Sequence, residues 1–225
     1  MVRYRPLLYL SAMASAAYLL SQSRQPFPGS AAIKGCAVGG LALLALQLRA
    51  LRPDAGLLAL ALVFSTAGDV LLDLDPRFFT FGLAAFLLAH LTYIALFVRN
   101  RARPLDAGLP RVAGVAAVLT GSAALSAWIV PSVDGLAVPV VLYIGAITAM
   151  VSLALLARLE TPWVPVGAVL FLISDSLLAV NKFKTAVPWH EYLVWITYYL
   201  GQCGLALGFL AGGQRPHRTR AGPGV

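Results

Sequence analysis

Asp69 and Asp175 lie inside stretches otherwise apolar enough to cross a membrane, in the settings Ser-Thr-Ala-Gly-Asp-Val-Leu-Leu (65–72) and Leu-Ile-Ser-Asp-Ser-Leu-Leu-Ala (172–179). An ionisable side chain at bilayer depth costs about 2.5–3.5 kcal/mol on the insertion scale, so it ordinarily faces protein or water and has a task. Both aspartates sit beside small residues that let helices approach closely, which points to one shared polar site. Two carboxyl groups in a common low-dielectric pocket do not both ionise cheaply. One keeps its proton and is an acid, and the other is a base or charge stabiliser. That pairing suits acid-catalysed hydrolysis through an oxocarbenium ion, the logic glycosidases use.

Helical spacing decides which other residues can join them. Ser65, Asp69 and Asp73 share a face at intervals of four. Glu191, Trp195, Tyr198 and Gln202 form a second stripe, and His90 and Tyr93 are one turn apart. Polar stripes on segments this apolar should point into a bundle rather than at lipid. Each residue also has a plainer reading. Asp73, near the membrane edge, is expected to be solvated, and Glu191 to be a first-turn carboxylate at a helix N-terminus. Tyr93, Trp195 and Tyr199 read equally as packing or interfacial aromatics. His90 is as readily an interior histidine bonded to Tyr93 or a carbonyl as a site residue. Lys34 either snorkels to headgroups or holds a substrate phosphate. For Asp69 and Asp175 themselves the alternative is an interhelical hydrogen-bonded pair.

Other chemistries lack their residues. There is no Gly-x-Ser-x-Gly elbow, Walker loop or His-Glu-x-x-His motif. With His190 and His217 peripheral, a three-histidine zinc site is not expected. Cys36 and Cys203 fall within apolar segments and read as packing thiols. No metal and no cofactor is expected.

The elements that must position these residues follow from composition. Sixty per cent of the chain is hydrophobic and 12% charged, against about 25% charged in a soluble domain, and the mean hydropathy is +0.82. The chain is therefore expected to be an integral membrane protein. The net charge of +8 sits in short loops without interleaved aromatics, which argues against nucleic acid as a partner. Spans of about 20 residues give eight helices at 6–22, 31–50, 56–74, 79–98, 111–130, 136–157, 163–181 and 190–211. The breaks carry turn chemistry: Gln-Pro-Phe-Pro-Gly (25–29), Arg-Pro-Asp (52–54), Asp-Pro-Arg (75–77) and Pro-Ser-Val-Asp-Gly (131–135). The fold class expected is all-α, a single eight-helix transmembrane domain over 1–212 with a polar, disordered cytoplasmic tail at 213–225. The first apolar run is read as a retained helix, not a cleaved signal peptide, because its removal would spoil the charge pattern.

Eight spans put both termini on one side. Twelve arginines fall there (Arg3, Arg5, Arg49, Arg52, Arg99, Arg101, Arg103, Arg111, Arg158, Arg215, Arg218 and Arg220), against five basic residues opposite (Arg24, Lys34, Arg77, Lys182 and Lys184). By the positive-inside rule both termini are cytoplasmic, in a multi-pass protein of the cytoplasmic membrane. Asp69, Asp175 and Lys34 then belong to the outer half of the bilayer, with His90 and Tyr198 near its middle. Gly-Asp-Val-Leu-Leu and Ser-Asp-Ser-Leu-Leu, each followed one helix later by an aromatic four residues before a polar group (Phe86/His90, Tyr198/Gln202), admit a four-plus-four duplication. Gly35, Gly39 and Gly40 would serve internal packing or a dimer equally well.

These motifs together resemble the YhhN family of membrane proteins, which includes the lysoplasmalogenases. The resemblance is carried by the Lys34 region, Ser65-x-x-Gly68-Asp69, Phe86-Leu-Leu-Ala-His90-Leu-Thr-Tyr93, Gly167-Ala-Val-Leu-Phe171-Leu-Ile-Ser174-Asp175, and Thr197-Tyr198-Tyr199-Leu200-Gly201-Gln202. It implies eight spans and hydrolysis of the vinyl ether bond of lysoplasmalogens, giving a fatty aldehyde and a glycerophospho-ethanolamine or -choline. Asp69 and Asp175 are then the expected catalytic pair. Lys34, Ser65, His90, Tyr93, Ser174, Tyr198 and Gln202 are supporting or substrate-binding, and Lys182 is a second phosphate candidate. The partner is a lysophospholipid whose chain enters the apolar interior laterally. Three alternatives remain open at this level: a metal-dependent lipid hydrolase using Asp69, His90 and Asp175, a proton-coupled transporter, and a lipid-binding scaffold.

Overall fold

The structure is a computed structural model and describes residues 5–100, 108–133, 135–157, 159 and 161–212. Eight helices follow in order: α1 Arg5–Ser21, α2 Ser30–Leu48, α3 Ala55–Leu74, α4 Phe79–Arg99, α5 Leu109–Ile129, α6 Ala137–Leu156, α7 Trp163–Phe183 and α8 His190–Ala211. Each begins and ends within two residues of the limits read from the sequence, and no β-strand occurs among the described residues. Seven of the helices are long and apolar enough to span a bilayer, whereas α1 has 17 residues. The tail at 213–225 and the basic residues Arg3, Arg101, Arg103, Arg158, Arg215, Arg218 and Arg220 lie outside the described residues.

Local chemistry sets the helix ends. Gly29, with φ of 96°, turns the chain into α2 through a backbone region that a side chain disfavours. Pro110 occupies the first turn of α5, where a missing N–H costs nothing. Between α3 and α4 the Asp75 carboxylate accepts from the Arg77 backbone N–H and side chain, which holds that exposed carboxyl below its ordinary pKa.

Most sequential helices pack as antiparallel neighbours, closest for α7 with α8, α2 with α3 and α3 with α4, whereas α4 packs on α6 rather than on α5. Small residues permit this. A Cβ on Gly167 would lie 2.6 Å from the Gly201 carbonyl oxygen, and one on Gly204 2.8 Å from Gly167 Cα, so α7 and α8 touch backbone to backbone. Gly68 receives the Phe86 ring in the same way. Gly40 packs on Ser11 and Gly35 on Val70, so these two glycines of α2 serve internal packing. Cys36, expected to be buried, is exposed on the outer face of α2, because the glycines beside it take the inward positions.

The outer surface suits lipid. Met13, Leu20, Val63, Leu142 and other large apolar side chains are exposed, with Trp163 at one end of the bundle and Trp128 and Trp189 at the other. Arginines lock the first of these ends. Arg52 donates to the Phe209 and Gly212 carbonyls, Arg111 to the Ala157 carbonyl, and Arg99 lies 3.5 Å from Asp54. The opposite end holds Lys34, Arg77, Lys182 and Lys184, and it is there that the polar interior opens.

Candidate active site

A cavity of about 260 Å³ is set into the end of the bundle opposite the arginines. The C-terminal halves of α3 and α7, the N-terminal halves of α2, α4 and α8, the end of α1, and α6 enclose it. Asp69 and Asp175 both line it, so two carboxylates far apart in sequence face one space. Lys34, Ser174 and Tyr198, predicted to accompany them, line it as well.

Each aspartate is gripped from the other half of the chain. Tyr198 on α8 donates a 2.6 Å hydrogen bond to Asp69 Oδ2 on α3. Asp175 Oδ2 on α7 lies 3.3 Å from His90 Nε2 on α4. Asp175 also accepts a 2.6 Å bond from the Tyr143 hydroxyl, itself 3.1 Å from His90 Nε2. His90 is fully buried, bonded to neither Tyr93 nor a carbonyl, and its Nδ1 has no partner among the described residues. The ring thus presents its one engaged edge to Asp175 and Tyr143. Tyr143 is absent from the residues singled out by sequence. It sits on the most apolar helix of the bundle, where a tyrosine reads as packing.

Behind Asp69 lies a closed polar relay. Tyr93 donates to Gln202 Oε1 at 2.7 Å, and Gln202 Nε2 donates to Ser65 Oγ at 3.0 Å. All three are buried and the main hydrogen-bonding groups are matched, which fixes α3, α4 and α8 relative to one another. Ser174 donates to the Val194 carbonyl at 3.0 Å and ties α7 to α8 beside the cavity. Ser65, His90, Tyr93 and Gln202 therefore support the cavity wall from outside, and the other five predicted residues reach its surface.

Asp73 departs from expectation. Its carboxylate is 8% exposed. It accepts from Tyr18 at 2.6 Å and Ser30 at 2.5 Å, because α1 and the start of α2 close over it. Lys34 Nζ stands 4.0 Å from both Asp69 Oδ1 and Asp73 Oδ1, and above the Tyr18 and Trp195 rings at 5.4 and 5.7 Å. One ammonium thus balances two carboxylates inside an aromatic wall. Glu191 takes the first turn of α8 at the cavity mouth, paired at 3.2 Å with His190. Lys182 lies over the Phe79 ring at the rim.

The floor is aromatic. Phe86, Phe171 and Tyr198 meet edge to face with centroids 5.2–6.1 Å apart, and Phe171 packs on His90. Phe86 and Tyr198 line the cavity, and Phe171 lies fully buried behind them. Asp69, His90 and Asp175 do not assemble into a three-ligand cluster, and no group of three or more His, Cys, Asp or Glu residues with metal-binding geometry occurs among the described residues.

Fold and site together define a polytopic helical membrane protein with a carboxylate-lined cavity at one end of its bundle. Residues 29–209 match the YhhN family, and the chain belongs to that family. It is 40% identical over 170 residues to proteins named Lysoplasmalogenase from Mycobacterium bovis and Mycobacterium tuberculosis, covering 72% of this chain and 63% of each relative. The human Lysoplasmalogenase TMEM86A is 33% identical over 166 residues, 69% of this chain and 65% of its own length. The chain spans less than two thirds of the length of these relatives. No solved structure matches it.

Proposed function

We propose that the protein is a membrane-embedded lysoplasmalogenase, hydrolysing the vinyl ether bond of a lysophospholipid drawn from the bilayer. The observation that carries this reading is that Asp69 and Asp175 line a single cavity. Its support from without is the name shared by the relatives. The eight-helix unit over 1–212, in the cytoplasmic membrane, houses the activity.

A vinyl ether is basic at its β-carbon. One carboxylic acid of the pair delivers its proton there, and the electrons of the double bond form the new C–H bond. The α-carbon and ether oxygen are left sharing a positive charge. The second, ionised carboxylate faces that cation and removes a proton from the water that adds to the α-carbon. The resulting hemiacetal loses its hydroxyl proton, the carbon–oxygen bond to glycerol breaks, and the glycerol oxygen takes up a proton. Aldehyde and glycerophospho headgroup leave with the acid ionised and the base protonated, and a proton passed back between the two aspartates through water restores the pair. No cofactor enters. Tyr198 fixes Asp69, while Tyr143 and His90 fix Asp175. Lys34 faces the cavity and is the nearest cation for a substrate phosphate.

The test is aldehyde release from a lysoplasmalogen by purified protein in detergent, beside Asp69→Asn and Asp175→Asn. Turnover by the wild type that falls at least about 100-fold in both folded variants is expected, the usual scale for an acid–base group. A folded wild type that releases no aldehyde sinks the reading.

A further inference from the structure

Asp175 stands on two cavities at once. With Phe79, Leu83, Tyr143 and Leu178 it lines both the polar cavity and a narrow neck of about 50 Å³ between α5, α6 and α7. Apart from Tyr143, Asp175 and two serines the neck is walled by apolar side chains. Ser122, Leu125, Leu172 and Ser176 then line both the neck and a third cavity of about 490 Å³ between α5 and α7. That last space has exposed Gly121 and Ile173 among its walls, so it opens on the side of the bundle that meets lipid. Consecutive spaces share walls, from Asp175 to the exposed flank of α5 and α7.

We propose that this series is the chain-binding subsite, and that α5 and α7 form the lateral portal for one unbranched hydrocarbon chain. The proposal rests on the hydrolase reading above and deepens it. Polarity is the first argument. A single-chain ether lipid changes character at its vinyl ether, polar toward glycerol and apolar beyond. The cavities change character at Asp175 and Tyr143, with polar groups on one side and the apolar neck on the other. A lipid laid along them brings its reacting bond to the carboxylate.

Size is the second argument. The neck, about 50 Å³ against about 260 and 490 Å³ on either side, is the constriction of the series and favours one extended chain over two side by side. Selection of single-chain lipids over two-chain ones follows from the walls rather than from any headgroup contact. Helix packing is the third. Of all the residues of α5 only Ser122 and Ile129 are buried, so this helix is held to the bundle by little and can yield to a passing chain. Ser122 is the gatepost. Its hydroxyl is buried with no partner among the described residues, which is unusual in a packed interior, and it stands where neck and outer cavity share a wall.

The first experiment compares kcat/KM for a hexadecenyl and a butenyl lysoplasmalogen. In Ser122→Phe the ring stands where neck and outer cavity join, and the long-to-short ratio is expected to fall at least about tenfold. An unchanged ratio in folded Ser122→Phe overturns the proposal.

A second experiment needs neither turnover nor a variant. A non-hydrolysable alkyl-ether lysophospholipid with a diazirine at its chain end is photolysed with wild-type protein in nanodiscs, with and without excess unlabelled lipid. Label protected by competition is expected on residues 117–125 or 172–180. Protected label confined elsewhere, as in the apolar surface groove lined by Gly39, Leu43, Leu60 and Val63 of α2 and α3, overturns the portal. Label at α5 and α7 without aldehyde release would sink the hydrolase and keep the chain path, and aldehyde release with label elsewhere would do the reverse.

Discussion

Tyr143 donates a 2.6 Å hydrogen bond to Asp175 Oδ2, across the bundle from α6 to α7. The same tyrosine lies 3.1 Å from His90 Nε2, with the rings edge to face at 5.1 Å, so phenol, imidazole and carboxylate form one triangle. A hydrogen bond to a charged group contributes about 1.5–3 kcal/mol. Placed on a group that reacts, that is about ten- to hundredfold in rate.

Tyr143→Phe therefore lowers kcat by that factor and leaves KM for the lipid within a few-fold. The ring remains to pack on His90, and Asp175 keeps His90 as a partner, so the fold persists and stability falls by no more than that one hydrogen bond, about 1.5–3 kcal/mol. Full turnover in Tyr143→Phe would remove the tyrosine from the site.

The charge balance around Lys34 makes a different prediction. Its ammonium is 4.0 Å from Asp69 and from Asp73, and all three side chains are largely buried. Lys34→Met leaves two carboxylates close together without their cation, whereas Asp73→Asn leaves Asp69 with the cation to itself. Uncompensated buried charge destabilises more than an exchanged pair does. Lys34→Met combined with Asp73→Asn is expected to be more stable than the sum of the single changes by about 1–3 kcal/mol. Thermal unfolding of the four proteins of this cycle measures it. Strict additivity would mean that Lys34 and Asp73 are not coupled.

Much of this site was legible in the sequence for one reason. In a chain this apolar, every charged or amide side chain within a span is conspicuous. Asp69, Asp175 and Gln202 stand out from composition alone, and periodicity of 3.6 assigns Ser65, Asp69 and Asp73 to one face. The helix limits were legible because proline and glycine punctuate the loops, as Pro110 and Gly29 do. Tyr143 was not, since an aromatic on a lipid-spanning helix is equally at home in packing, and only the tertiary approach of α6 to α7 gives its hydroxyl an acceptor. The burial of Asp73 was hidden likewise. Its partners Tyr18 and Ser30 come from α1 and α2, 55 and 43 residues away, and distance along the chain from a membrane edge says nothing of what folds over it.

The helix pair that carries Asp175 and Tyr198 rests on glycine. A Cβ at Gly204 would stand 2.8 Å from both Gly167 Cα and the Trp163 carbonyl oxygen. Those are backbone atoms of α7 and cannot rotate aside, so Gly204→Ala must push α8 away from α7. Overpacking of this kind costs about 1–3 kcal/mol, or about 2–4 °C in Tm for each kcal/mol in a chain of this size. At Gly145, on α6, nothing lies within 4 Å of the added methyl. There the better helix propensity of alanine should leave stability unchanged or raise it by about 0.4–1 kcal/mol. The displacement in Gly204→Ala also strains the Ser174 bond to the Val194 carbonyl and shifts Tyr198 from Asp69, so turnover should fall along with Tm. Equal melting temperatures for Gly204→Ala and Gly145→Ala would mean that backbone contact between α7 and α8 does not hold the two aspartates in register.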